Sequence, residues 1–302
     1  MNLKNIRQRA ILELSNSDIK SAIIDVDILL QYILDKNDVF IFSHPDFPLT
    51  NSQYQQFRRL IRKRKTGYPI AYLVGYKEFF GLDFIVNKNV LIPRPETELL
   101  VELVIKNLEL RAKNLEKLPP STLHPQIILD IGTGCGNIII SLAKSVIPNS
   151  EFLIRYIASD ISEKALQIAK LNAKKHNLES INFYKSDLFS NKRLPKCYDL
   201  ILANLPYVPN KSKKLKVKGK NDNEEIDFEP QNAIFAEDNG TSTIKDFLNQ
   251  TKDKLNANGM ILLETDPRNI QQIKKYALKF YNNVQIIKDL SGRERFLKVL
   301  HN

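Results

Sequence analysis

The stretch "QIILDIGTGCGN", residues 126–137, opens with a short apolar run suited to a buried strand and closes at the start of a helix beginning at Asn137. Between them lies a turn of Gly132, Thr133, Gly134, Cys135 and Gly136. Glycines at such a turn permit positive φ and let a ligand approach the backbone, while the helix N-terminus beyond offers unpaired N–H groups. A dinucleotide site would use G-x-G-x-x-G, whereas the third glycine here comes one position early, which argues against NAD. An isolated turn of this kind can also be a tight strand-to-helix connection with no ligand.

Working outward, the same β/α alternation continues. "FLIRYIASD" (152–160) reads as a strand followed by the helix "SEKALQIAKLNAKKH"; "YDLILANLP" and "GMILLETD" read as strands, and "PRNIQQIKKYALKF" as a helix. Apolar strands separated by helices imply a parallel sheet covered on both faces. The closing segment "NVQIIKDLSGRERFLKVL" reads as two strands joined tightly at Ser291 and Gly292, hence antiparallel to each other. The expected fold is therefore α/β, a Rossmann-like sheet that is mostly parallel with one reversed strand.

Upstream the pattern differs. Residues 3–65 read as helical; "SAIIDVDILLQYILDK" places Ile24, Ile28, Leu29 and Ile33 on one face. A further helix starts after "LTNS", where Thr50, Asn51 and Ser52 can each cap, and stops before Gly67. "EFFGLDFIVNKNVLIP" is aromatic and β-branched and reads as a hairpin. The expected division is a helical domain over 1–75, a β-hairpin linker over 76–92 and a sheet domain over 93–302.

Composition narrows the class. The chain has 302 residues, 43% hydrophobic and 26% charged, with a net charge of +11 from 45 basic and 34 acidic side chains. No apolar run is long enough to span a membrane, and charges run through the N-terminal segment, so a cytoplasmic protein without membrane attachment is expected. Two cysteines and four histidines show no ligand spacing, so no metal site is expected. Two basic runs, "RRLIRKRK" (58–65) and "KSKKLKVKGK" (211–220), suit phosphate backbones or an acidic partner; each reads equally as a solvated face or loop.

Two aspartates follow the glycine turn. Asp160 ends the second strand, where a carboxylate can accept both hydroxyl protons of a ribose; it can also cap the next helix. Asp187, with Leu188 and Phe189, follows the third strand and can receive an adenine ring. Three such features on successive strand ends describe a nucleoside crevice with no phosphate requirement, as S-adenosylmethionine would need.

"DIGTGCG", "SD" before the second helix and "NLPY" after the fourth strand resemble the motifs of class I S-adenosylmethionine-dependent methyltransferases that modify planar nitrogens. More narrowly, "GYPIAYLVGYKEFFGLDF", "VLIPRPETELLVE", "FEPQNAIFAEDNG" and "DLSGRERFLKV" are similar, in order, to segments of the bacterial peptide-chain release factor glutamine methyltransferases. The resemblance implies a monomeric two-domain enzyme that methylates the side-chain amide of the glutamine in a release factor's Gly-Gly-Gln motif, with the helical domain contributing to docking. It implies cofactor contacts from Gly132, Thr133, Gly134, Cys135, Gly136, Asp160, Asp187, Leu188 and Asn204, with "RPETE" (94–98) closing over the cofactor. It also implies a catalytic turn of Asn204, Leu205, Pro206 and Tyr207: the Asn204 carbonyl and the Leu205 backbone carbonyl each accept an N–H, Pro206 braces the turn, and Tyr207 walls it.

One position departs from the family. Its motif is Asn-Pro-Pro-Tyr, and Leu205 stands at the first proline. A backbone carbonyl serves there, so the chemistry survives with one torsional restraint fewer. Asn-Leu-Pro-Tyr also resembles the motif of ribosomal RNA adenine dimethyltransferases, and the basic runs are compatible with proximity to ribosome or RNA. The alternatives are thus a glutamine methyltransferase of a ribosomal protein, a nucleic-acid adenine N6-methyltransferase, and a non-catalytic ribosome-binding module. The chain ends on a strand pair rather than a helical nucleic-acid module, which disfavours the adenine reading.

Overall fold

A computed structural model describes residues 2–115, 126–146, 154–209 and 225–301. These fall into two compact units, one holding residues 2–76 and 225–228 and the other holding the remainder.

The first unit is helical: α1 (Leu3–Ser15), α2 (Ala22–Leu34), α3 (Asp38–Ser43), α4 (Asn51–Arg64) and α5 (Ile70–Val74). Of the three candidate caps before α4, Thr50 is used. Its hydroxyl accepts the Gln53 N–H and the Gln53 side chain accepts the Thr50 N–H, a reciprocal capping box. The buried face of α2 matches the spacing at Leu29, with Ile28 and Ile33 packed partly buried against the core, and departs from it at Ile24. Val26, Leu29, Leu30 and Leu34 are buried, whereas Ile24 is 63% exposed. The helix carries apolar residues nearly all round, so local pattern cannot choose its inward face. Asp25 helps to set it: its carboxylate is buried and pairs with Arg64 Nε at 2.6 Å. Arg64 also donates to the Tyr68 carbonyl and to Glu225, which attaches residues 225–228 to this unit.

The second unit begins within the hairpin of β1 (Tyr76–Phe79) and β2 (Leu82–Ile85), closed by Phe80 and Gly81, both at positive φ as a type I′ turn requires. There follow α6 (Glu98–Leu115), β3 (Gln126–Ile131), α7 (Asn137–Val146), β4 (Ile154–Asp160), α8 (Glu163–Lys175), β5 (Asn182–Lys185) and β6 (Tyr198–Asn204). The short β7 (Val208–Pro209), α9 (Gln231–Ile234) and β8 (Phe235–Ala236) come next, then α10 (Ser242–Thr251), β9 (Leu255–Glu264), α11 (Ile270–Ala277), β10 (Asn283–Lys288) and β11 (Glu294–Leu300).

Seven strands form one sheet in the order β10-β11-β9-β6-β3-β4-β5. β3 lies parallel to β4 and β6, and β6 parallel to β9; β11 runs antiparallel to both β9 and β10. The single reversed strand is the one the terminal hairpin demanded, although its connection spans Asp289–Arg293 rather than two residues. Asp289 builds that loop, its carboxylate accepting the N–H groups of Ser291 and Arg293 and the Nε of Arg295. Alternation along the central strands places Leu129, Ile131, Ile201, Ala203, Ile261 and Leu263 in a cluster with α10 and α11. Their neighbours Ile128, Leu200, Leu202, Met260 and Leu262 are also buried. Both faces are therefore covered, which is why these strands read as continuous apolar runs. No helix among the described residues is long and apolar enough to cross a membrane.

Candidate functional site

A cavity of about 270 Å³ opens at the C-terminal ends of β3, β4, β5 and β6. That is near the lower end of the ~300–1,000 Å³ usual for small-molecule sites, and strand C-termini are where open parallel sheets place them. Its walls include Gly132 and Gly134 from the turn after β3, Asp160 at the end of β4, Asp187 and Leu188 after β5, and Asn204, Leu205 and Pro206 after β6. Asn89–Leu91 together with Pro230, Asn232 and Ala233 also line it.

The glycine turn is held by the sheet beneath it. Gly132 and Thr133 both donate to the Ser159 carbonyl, and Gly134 N–H reaches Asp160 Oδ2 at 2.9 Å. Gly134 has φ +57, and a Cβ there would meet no heavy atom within 4 Å, so this edge of the backbone is open. At Gly136, φ is +84 and a Cβ would sit 2.8 Å from Ile140 Cδ1, so this glycine serves helix packing rather than ligand approach. Thr133, Cys135 and Gly136 do not line the cavity. Thr133 is buried and donates its hydroxyl to Asp130 Oδ2 at 2.6 Å; Cys135 is buried, and burial pushes its thiol up to about 12.

Asp160 is not the helix cap. Ser162 caps α8 through its hydroxyl, while Asp160 accepts Ser162 N–H on Oδ1 and Gly134 N–H on Oδ2. The carboxylate keeps acceptor capacity for a hydroxyl donor. Burial, the largest influence, raises this carboxyl above its usual range against the backbone N–H groups of Ser162, Gly134 and Ile161. A nucleoside with a ribose diol and no phosphate fits this arrangement of open glycine edge and cavity-wall carboxylate. Asp187 and Leu188 border the cavity, but Phe189 does not. Its ring stacks on Phe247 at 6.2 Å and leans on Tyr198, within the cluster under the sheet.

At the end of β6 the Asn204 amide nitrogen donates to Thr97 Oγ1 at 3.2 Å and to Glu264 Oε2 at 3.1 Å. The nitrogen end is thus turned toward a fully buried glutamate, which leaves the carbonyl oxygen as the end able to meet a ligand. Tyr207 does not border the cavity; its hydroxyl donates to Glu264 Oε1 at 3.1 Å, and burial raises its pKa. Leu205 is buried, its Cδ2 lying 3.0 Å from where a Cβ on Gly132 would be. This side chain fills the space between the glycine turn and the turn after β6.

The expected closure of "RPETE" over a cofactor is not what the structure shows. Residues 94–98 do not border the cavity. Within "RPETE", Arg94 pairs with the buried Glu229, Thr97 is buried beneath Asn204, and Glu98 accepts the Phe80 N–H. The basic run 211–220 lies outside the described residues, as does the start of the strand read from residue 152.

Four further residues were not singled out from the sequence. Glu264, Asn172, Glu229 and Asp130 are buried and polar. Asn172, on α8, donates to the carbonyls of Ile85 and Cys135 and accepts the Ile85 N–H. Glu229 accepts the Ile92 N–H and an Arg94 guanidinium, joining the two segments that carry Asn89–Leu91 and Pro230–Ala233. A charged residue ending an apolar strand, as Glu264 ends Met260–Leu263, is the signal that could have found the first of them.

The profile of the PrmC N-terminal domain matches residues 5–75, and that of a methyltransferase domain matches residues 125–283. The release factor glutamine methyltransferase of Buchnera aphidicola is 35% identical over 298 residues, covering 98% of this chain and 97% of the relative. The chain belongs to the release factor glutamine methyltransferase family. A second member, from Shewanella oneidensis, is 33% identical over 91% of this chain and 88% of its own length. Among solved structures, the hMettl16 catalytic domain bound to a MAT2A 3′UTR hairpin superposes with a TM-score of 0.53 over 90% of each chain at 15% identity, a likeness of fold. Membership in the release factor glutamine methyltransferase family makes this chain a methyltransferase.

Proposed function

We propose that the chain methylates the side-chain amide nitrogen of the glutamine in a release factor's Gly-Gly-Gln motif, using S-adenosylmethionine. The observation that carries this reading is the Asn204 amide: its nitrogen is bonded to Thr97 and Glu264, so its carbonyl oxygen is free to accept. A glutamine amide is a poor nucleophile because its lone pair is delocalised, and its N–H protons are too weakly acidic for an ordinary base. The protein's task is alignment. Asn204 Oδ1 accepts one N–H and the Leu205 carbonyl the other, which turns the remaining electron density of the nitrogen toward the methyl donor. Alignment of this kind is worth at most ~7–11 kcal/mol.

When bound, S-adenosylmethionine supplies a methyl group already activated on a sulfonium sulfur. Asp160 holds its ribose, and the open backbone edge at Gly134 admits its close approach. Asp187 and Leu188 border the base. Tyr207, its hydroxyl fixed on Glu264, braces the turn from behind rather than stacking on the acceptor.

The test is transfer of label from S-adenosylmethionine to one of three acceptors offered separately: a release factor, a ribosomal protein and ribosomal RNA. Label on the release factor, lost when its motif glutamine is replaced, is the expected result. Label on RNA alone would overturn the reading.

A further inference from the structure

Asn204 and Glu264 are register partners on the parallel strands β6 and β9, each the last residue of its strand. Around Glu264 the donors come from three segments. Thr97 Oγ1 donates to Oε2 at 2.7 Å, Asn204 Nδ2 to the same oxygen, Tyr207 Oη to Oε1, and Arg295 Nη1 stands 3.9 Å from Oε1. The Thr97 hydroxyl has a single proton, and it is spent on Glu264; its oxygen is therefore an acceptor toward Asn204. Reversing the Asn204 amide would place its carbonyl oxygen against a carboxylate oxygen and against a hydroxyl with no proton to give. With Glu264 ionised, only one orientation of the amide satisfies the cluster.

We infer that Glu264 is a positioning residue for methyl transfer, acting with Thr97 to lock the Asn204 amide with its acceptor end toward the cavity. This rests on the acceptor role proposed for Asn204. It also gives "RPETE" a place in the chemistry: Thr97 supports the acceptor from beneath instead of covering a cofactor. A buried glutamate surrounded by donors acts as a fixed acceptor, and a fixed acceptor beside an amide sets which end of the amide faces outward.

Three variants test it, namely Glu264→Gln, Asn204→Asp and the two combined. Each is read as kcat for the release factor, S-adenosylmethionine affinity by calorimetry, and melting temperature. Glu264→Gln lets its own NH₂ face Asn204, which reverses the Asn204 amide and presents donors to the cavity; kcat falls while cofactor affinity holds. Asn204→Asp sets two carboxylates side by side and lowers kcat by ~10²–10³-fold, as loss of a fixed polar group at a reacting centre does. In the combined variant the glutamine NH₂ donates to one aspartate oxygen and leaves the other toward the cavity, so kcat recovers ~10-fold, the size of coupling shown by groups in contact. A merely structural glutamate would lower the melting temperature but would not rescue Asn204→Asp. A combined variant no faster than Asn204→Asp overturns the inference while wild-type transfer to the release factor keeps the acceptor reading intact. Failure of the wild-type chain to label a release factor overturns both.

Discussion

Asn172 Nδ2 donates to the Cys135 carbonyl at 2.9 Å while its Oδ1 accepts the Ile85 N–H at 2.7 Å, so one buried side chain ties the glycine turn to the hairpin. α8 supplies this residue from its last turn, still inside the helix, where an asparagine has no propensity advantage. The same amide also donates to the Ile85 carbonyl, so both backbone groups of that strand residue are satisfied by a single helix position. Asn172→Ala should destabilise the chain by about 1–3 kcal/mol for the orphaned Ile85 N–H alone. Because the turn is released as well, affinity for S-adenosylmethionine should fall. Thermal melting and calorimetric titration check both; a lower melting temperature with unchanged affinity would show that the turn is held without Asn172.

Asn204→Ala removes the proposed acceptor and leaves Thr97 and Glu264 with one partner fewer, while Gly132, Gly134 and Asp160 are untouched. Transfer should fall by ~10²–10³-fold, comparable to loss of one oriented hydrogen-bonding group at a reacting centre. Cofactor binding should persist, because the nucleoside contacts proposed here come from other strands. Single-turnover rates and equilibrium titration separate the two; equal losses in both would assign Asn204 to binding alone.

Much of this was readable in the sequence because the sheet is buried on both faces, so its strands stand out as apolar runs, and because a closing hairpin can only reverse one strand. Asp160, Leu188 and Asn204 were legible for a related reason: parallel strands deliver the residues at their C-terminal ends to one edge. What was not legible depends on contacts distant in sequence. The inward face of α2 involves Asp25 meeting Arg64, and residues 225–228 join the helical unit through Glu225. The Glu264 cluster draws on Thr97, 167 residues away. Phe189 was misplaced because adjacency to Asp187 says nothing about which side of a turn a ring takes, and Leu188 at φ +46 turns the chain between them.

The buried pair in the helical unit gives a stability prediction. Arg64 and Asp25 are each 3% exposed at the side chain and are 2.6 Å apart. Arg64→Met leaves the Asp25 carboxylate buried with the Ser21 hydroxyl as its remaining close donor, and should cost about 3–5 kcal/mol. Replacing both residues by leucine should cost much less, because no uncompensated charge remains. Urea titration followed by hydrogen exchange of α2 and α4 amides reads this unit directly; equal losses in the single and double variants would remove the charge argument.

Asp130 carries a pH prediction whose sign follows from burial. Its carboxyl is fully buried beside the glycine turn, Oδ2 accepts Thr133 Oγ1, and Oδ1 has no partner among the described residues. Burial, the dominant cause, together with repulsion from Asp160, outweighs the Thr133 bond and pushes the pKa from 3.8 to about 7. The folded state therefore binds a proton that the unfolded state has released between these values, and unfolding free energy falls as pH rises through that window. The penalty is absent below about pH 4 and complete above about pH 7, where it amounts to at most about 4 kcal/mol. Asp130→Asn keeps an oxygen for Thr133 and cannot ionise. Its stability should match the wild-type chain near pH 4 and exceed it increasingly toward pH 8. Denaturation of both proteins across this range checks the difference, which cancels the other titrating groups they share. A difference independent of pH would mean that Asp130 ionises at its ordinary value in the folded chain.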